Sequence, residues 1–191
     1  RSPRSSTRSA RRAPDDPCQN ARDHDARRAD AKQEPKSEGE LLQSSVGDLL
    51  AALDAKRLSC VELATAVLDR IDATQPTLNA FTALRAREDV LADAARSDER
   101  RARGEARALE GIPLGVKDLE DATGLVTSHG SRAFANNLAH GDSTQVARLR
   151  AAGAIVVGKT NTPEFGHTAL TKNPLFGPTH NPWNLERSPG G

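Results

Sequence analysis

The sequence predicts an α/β fold, a mixed sheet flanked by helices, and three observations carry that expectation. Apolar residues recur at helical spacing between residues 41 and 103. Two short runs of β-favouring residues follow, at 111–119 and 154–157. The second run directly follows a helical pattern closed by Gly153, and helix, glycine, apolar strand is the rhythm of a sheet covered on both faces.

Taken in order, Leu41 begins the apolar periodicity, and Val46, Leu49, Leu50 and Leu53 share one face of a first helix that ends near Lys56 and Arg57. Ser59 with Glu62 three residues on is a capping-box signature, in which each side chain serves the other's backbone N–H. Val61, Ala64, Val67, Leu68 and Ile71 then repeat at helical spacing. This second helix is expected to stop before Pro76, because proline lacks the N–H that a helix interior needs. Phe81 and Thr82 suggest a short extended piece. A long polar helix is expected from about residue 85 to residue 103, with Val90, Leu91 and Ala94 as its narrow buried stripe. Residues 111–119 read as a strand ending in a loop. Asp142 and Gln145 suggest another capping box, opening a helix whose Val146 and Leu149 face inward. Residues 161–191, rich in proline and asparagine, read as a long ordered loop, and long loops in compact domains commonly carry function.

Composition sets the domain boundaries. Residues 1–40 contain no Val, Ile, Leu or Phe, so nothing there offsets the entropy of ordering, and a disordered, non-domain tail is expected. Residues 41–191 are expected to hold the folded part, and both ends of the chain look cut. With no methionine present, Arg1 is not expected to be a natural start. The 27 basic and 26 acidic residues are well mixed and leave a net charge of +1, which argues for neither nucleic acid nor membrane as a partner. No stretch approaches the ~20 apolar residues of a membrane span. The Arg-rich opening is not followed by the apolar segment of a secretory signal. Cys18 and Cys60 make neither a disulfide framework nor a metal knuckle. A cytoplasmic protein whose partner is to be sought in a site is expected, with no cofactor and no metal.

Gly153 to Thr160 spells the G-x-x-x-x-G-K-[S/T] pattern of a phosphate-binding loop. Such a loop needs its strand before the first glycine and flexible residues between the two. Here Ile155, Val156 and Val157 are stiff and β-favouring, so the letters are expected to lie on a strand. His129, His140, His167 and His180 are too irregularly spaced for a zinc framework. Asp118, Glu120 and Asp121 are expected to be a solvated strand edge. Lys117 ends an apolar segment that would carry it into the protein, where desolvation can tune an amine toward neutrality and make it a general base. A snorkelling structural lysine fits the same letters.

Four blocks decide between these readings: G-I-P-L-G-V-K-D from Gly111, A-G-A-I-V-V-G-K-T-N-T-P-E-F from Ala152, N-P-L-F-G-P-T-H-N-P-W-N from Asn173, and S-P-G-G from Ser188. In this order and spacing they resemble the amidase-signature family, whose members hydrolyse carboxamides with a lysine and two serines. The resemblance implies that Lys117 is the catalytic lysine and that Ser188, Gly190 and Gly191 begin the serine- and glycine-rich signature. It also implies that the proton-relaying serine and the nucleophilic serine lie beyond Gly191, so that Ser188 is neither and these 191 residues alone are inactive. Lys159, with no assigned proton-transfer role, is expected to tolerate arginine. Amide hydrolysis is the implied function of the intact parent, and residues 162–165 and 173–178 look closer to free-standing amidases. Two alternatives stand beside it: the glutaminase subunit of a tRNA-dependent amidotransferase, and a non-catalytic truncated interaction module.

Overall fold

A computed structural model describes residues 38–191. The expected tail therefore lies outside the described residues except at its end, where residues 38–40 already belong to α1 (Glu38–Leu41). Helix α2 (Val46–Asp54) is capped by Ser45, whose side chain accepts the Asp48 N–H. In α3 (Cys60–Leu78) both halves of the Ser59/Glu62 capping box form. Contrary to expectation α3 runs through Pro76 and ends at Asn79, a left-handed cap. Pro76 sits in the last turn, where its missing N–H costs one bond to the carbonyl of solvent-exposed Asp72. The adjacent Gln75 side chain meanwhile bonds the backbone of Ala80 and Phe81.

Strand β1 (Phe81–Leu84) leads into α4 (Arg87–Ala102), then β2 (Pro113–Lys117), α5 (Thr144–Ala151) and β3 (Ile155–Thr160). The three strands form one mixed sheet in the order β1-β3-β2, with β1 antiparallel and β2 parallel to β3. Alternation along β3 builds two cores. Ile155 and Val157 join Leu63, Leu68 and Ile71 of α3 and Val90 and Ala94 of α4 on one face. Val156 joins Val116, Ala122 and Val146 of α5 on the other. The expected capping box at α5 does not form: Ser143 is the N-cap residue, and Asp142 instead accepts from Thr123 and pairs with Arg150.

The register between β2 and β3 slips once. Leu114 pairs with Val156 but Gly115 pairs with Gly158, which leaves Val157 as an extra residue on β3. Past the slip, Val116 pairs with Lys159 and Lys117 with Thr160. Lys159 therefore shares the α5 face with Val116, although simple counting from Ile155 and Val157 would send it to the other. Gly158 is required there, because a Cβ would lie 2.4 Å from the Ala83 carbonyl oxygen of β1. Two short strands, β4 (Lys172–Asn173) and β5 (Gly177–Pro178), pair within the following loop.

Candidate functional site

The site gathers where β2 leaves the sheet. The ladder continues one residue past the strand, since the Asp118 N–H donates to Thr160 O at 2.9 Å, and the chain turns as the Glu120 N–H donates to Lys117 O at 3.0 Å. Lys117 is half-buried rather than enclosed. Among the described residues its Nζ takes part in no hydrogen bond or ion pair. Alternation turns it away from Val116 and the α5 core, toward the face where Gly115 approaches Thr160 and Phe81. A shallow cavity of about 290 Å³ runs along the outer edge of β2, beside Leu114, Lys117, Leu119 and Leu149.

Lys159 has the opposite character. It is 0% exposed, and its Nζ donates to Glu120 O at 2.7 Å and Thr127 Oγ1 at 2.9 Å while pairing with Asp118 Oδ1 at 3.2 Å. Burial pushes its ammonium below the usual lysine range, against the pull of the Asp118 carboxylate. Lys159, expected to tolerate arginine, sits in a closed space that holds one ammonium, and a guanidinium there would have to displace its neighbours. The solvated-edge reading of Asp118 is corrected as well. Asp118 is 1% exposed and accepts from the Ser128 N–H at 3.0 Å and from the Ser128 hydroxyl. Glu120 is half-buried and Asp121 is exposed.

The phosphate-loop letters lie on β3, with Gly153 closing α5 and Lys159 walled in, so no phosphate can reach that lysine. Ser188 is tied to its own neighbourhood: its Oγ accepts from the Thr171 N–H at 3.1 Å and donates to Gly190 O at 3.1 Å. Thr171 Oγ1 also donates to Gly190 O, at 2.5 Å, and Gly190 holds φ +118°. A Cβ on Gly191 would lie 2.1 Å from Thr168 O. Thus Ser188, Gly190 and Gly191 are drawn to residues 168–171, and no hydrogen bond joins Ser188 to Lys117.

His129 stands in an aromatic trio with Phe134 and Phe165, His180 bonds Leu185 O, and His140 and His167 are exposed. Among the described residues no group of three His, Cys, Asp or Glu is arranged to hold a metal. Sequence reasoning missed Asp118, Thr127, Ser128 and Lys159 as one cluster. The available signal was a second lysine ending an apolar run, which the phosphate-loop question obscured.

The Amidase family model matches residues 62–191. An acylamidase of Rhodococcus erythropolis is 43% identical over 148 residues, 77% of this chain and 31% of that protein. A glutamyl-tRNA(Gln) amidotransferase subunit of Aromatoleum aromaticum is also 43% identical, over 151 residues, 79% of this chain and 31% of that one. Among solved structures, the peptide amidase of Stenotrophomonas maltophilia superposes with a TM-score of 0.71 at 37% identity, covering 78% of this chain and 32% of that one. The chain thus spans about a third of the length of these relatives. Among the described residues no helix is long and apolar enough to cross a membrane.

Proposed function

The chain belongs to the amidase family, and from that premise we propose that it forms the lysine-bearing part of an enzyme that hydrolyses carboxamides, with Lys117 as its general base. One observation carries the choice of residue. Of the two lysines that end adjacent parallel strands, only Lys117 has an amine free to accept a proton; the Lys159 amine is spent on Glu120 O, Thr127 and Asp118. A lowered proton affinity alone would have favoured Lys159. Geometry comes first, because a base must come within hydrogen-bond reach of the group it deprotonates.

In this reading a serine hydroxyl attacks the amide carbon, Lys117 takes its proton through a second serine, and the resulting acyl-enzyme is resolved by water. Those serines would be supplied by residues beyond Gly191. Among the described residues Ser128 is committed to Asp118 and Ser188 to Thr171 and Gly190. The substrate is a small-molecule amide, no nucleic acid partner or cofactor is needed, and the enzyme is a cytoplasmic serine hydrolase.

The decisive substitution is Lys117→Arg in the intact amidase, which keeps a long basic side chain but removes the base, since guanidinium holds its proton. Turnover should fall by about two to four orders of magnitude while folding is retained. Lys56→Arg, at an exposed position after α2, supplies the control. Near-normal turnover of a folded Lys117→Arg enzyme would falsify the assignment. A second reading, the glutaminase subunit of a tRNA-dependent amidotransferase, has the relative of equal identity in its favour. Glutamine hydrolysis that depends on added amidotransferase partner subunits, with no turnover of simple acylamides, would select it.

A further inference from the structure

We propose that Asp118 and Lys159 are positioning residues that lock the polypeptide leaving β2 and so hold Lys117 in place. The inference rests on the assignment of Lys117 as the base. Among the described residues the Lys117 side chain makes no hydrogen bond or ion pair, so its backbone decides where the amine starts from. That backbone is held on one side by the register with Thr160 and the Asp118–Thr160 bond. On the other side it depends on the loop of residues 118–131, which the buried Lys159 ammonium and Asp118 carboxylate tie together.

Lys159 Nζ reaches both ends of the loop at once: Asp118 and Glu120 O at its start, Thr127 Oγ1 and, at 3.5 Å, Val126 O near its finish. Asp118 completes the closure from the other direction. Its carboxylate takes both the N–H and the hydroxyl of Ser128, and its carbonyl accepts the His129 N–H at 3.1 Å. Both charged groups are essentially without solvent, so neither can exchange its partner for water when the other is removed. The register slip at Val157 places Lys159 on this face, one residue before the partner of Lys117. A bond network that consumes every donor of a buried lysine beside an uncommitted one divides the labour: Lys159 supplies rigidity, and Lys117 stays free.

The test uses Asp118→Asn, which can keep both Ser128 bonds while removing the carboxylate charge opposite Lys159. It is made in the intact amidase beside Lys117→Arg, with each enzyme assayed well below its own melting midpoint. For Asp118→Asn we expect kcat to fall by about 10–100-fold, the loss that a misplacement near 1 Å produces, with KM changed less than about threefold. Hydrogen exchange should quicken in residues 119–131 and not in α3 or α4. Normal kcat in a folded Asp118→Asn enzyme, while Lys117→Arg is inactive, overturns the positioning role and leaves the base assignment standing. Full activity of Lys117→Arg removes the base assignment and this inference with it. Should Asp118→Asn not fold, Thr127→Val decides: it deletes one acceptor of Lys159 and keeps the ion pair. A kcat lowered by about 3–10-fold at constant KM supports the inference, and unchanged kcat ends it.

Discussion

Cys60 opens α3 with its thiol fully buried, and burial, reinforced by a hydrogen bond with Asp98, pushes its pKa from 9.0 to about 12. The consequence for stability has a definite sign. Between pH 9 and 12 the unfolded chain releases the thiol proton while the folded one keeps it, so the thiol's contribution, complete below pH 9, is lost as pH rises. Each tenfold change in proton affinity is worth ~1.4 kcal/mol, so the loss is at most about 4 kcal/mol. Lys159 acts in the opposite direction, since its lowered pKa makes the folded state shed a proton first. Comparison with Cys60→Ala isolates the thiol. Urea unfolding at pH 8 and pH 11 should show a smaller alkaline loss in the variant, and equal losses would show that the thiol is not sealed in the folded state.

At the scale of elements, the start of α3 has two kinds of cap. Ser59 and Glu62 satisfy each other's backbone N–H at an exposed position. Asp98, reaching across from α4, accepts the N–H groups of Cys60 at 2.7 Å and Val61 at 3.2 Å in a part-buried one. A carboxylate at a helix N-terminus also meets the positive end of the helix dipole. Ser59→Ala should therefore cost about 1 kcal/mol. Asp98→Ala should cost more, about 2–3 kcal/mol, because water cannot fully replace the lost acceptor. Chemical denaturation of the two variants checks the order, and a larger loss for Ser59→Ala would mean that the local box, not the cross-helix contact, anchors α3. The capping box was legible because its two members are three residues apart. The Asp98 cap was not, because its partners lie 37 and 38 residues away.

For the whole molecule, the loop of residues 161–191 is built onto the body by an amide network instead of an apolar core. Asn173 Nδ2 donates to Asn161 Oδ1 at 2.6 Å and to Thr162 O at 2.8 Å, and its Oδ1 accepts from Leu175 and Phe176. Asn161 holds Thr179, Thr179 holds Asn79 O, and Asn79 holds the carbonyls of Phe176 and Pro178. This chain of bonds ties the loop to the end of α3. Asn173→Ala should release it while the cores persist, so limited proteolysis should cut within residues 161–191 at least about tenfold faster, with little change in global melting, as local opening implies. Unchanged cleavage would place the loop's stability elsewhere. The asparagines were visible as a loop composition, but which of them were buried and bonded was not.

What the sequence determined by itself is whatever depends on near neighbours: the alternation of helices and strands, the Ser59–Glu62 box, and the strand character of Ile155, Val156 and Val157. These follow from spacing along the chain, because helix and strand periodicities repeat within a few residues. Pro76 and Asp142 mark the limit even there, since a proline is tolerated in the last turn of a helix and a capping residue can be claimed by Thr123 and Arg150. Only the tertiary structure decided which of two strand-end lysines is enclosed. Both end an apolar run, and counting from Ile155 would have turned Lys159 toward α3 and α4. The slip at Val157 turns it toward Asp118, Glu120 and Thr127 instead. Burying an ammonium is costly unless acceptors surround it, and those acceptors lie 32 to 41 positions away in the chain. No local pattern records that they will converge.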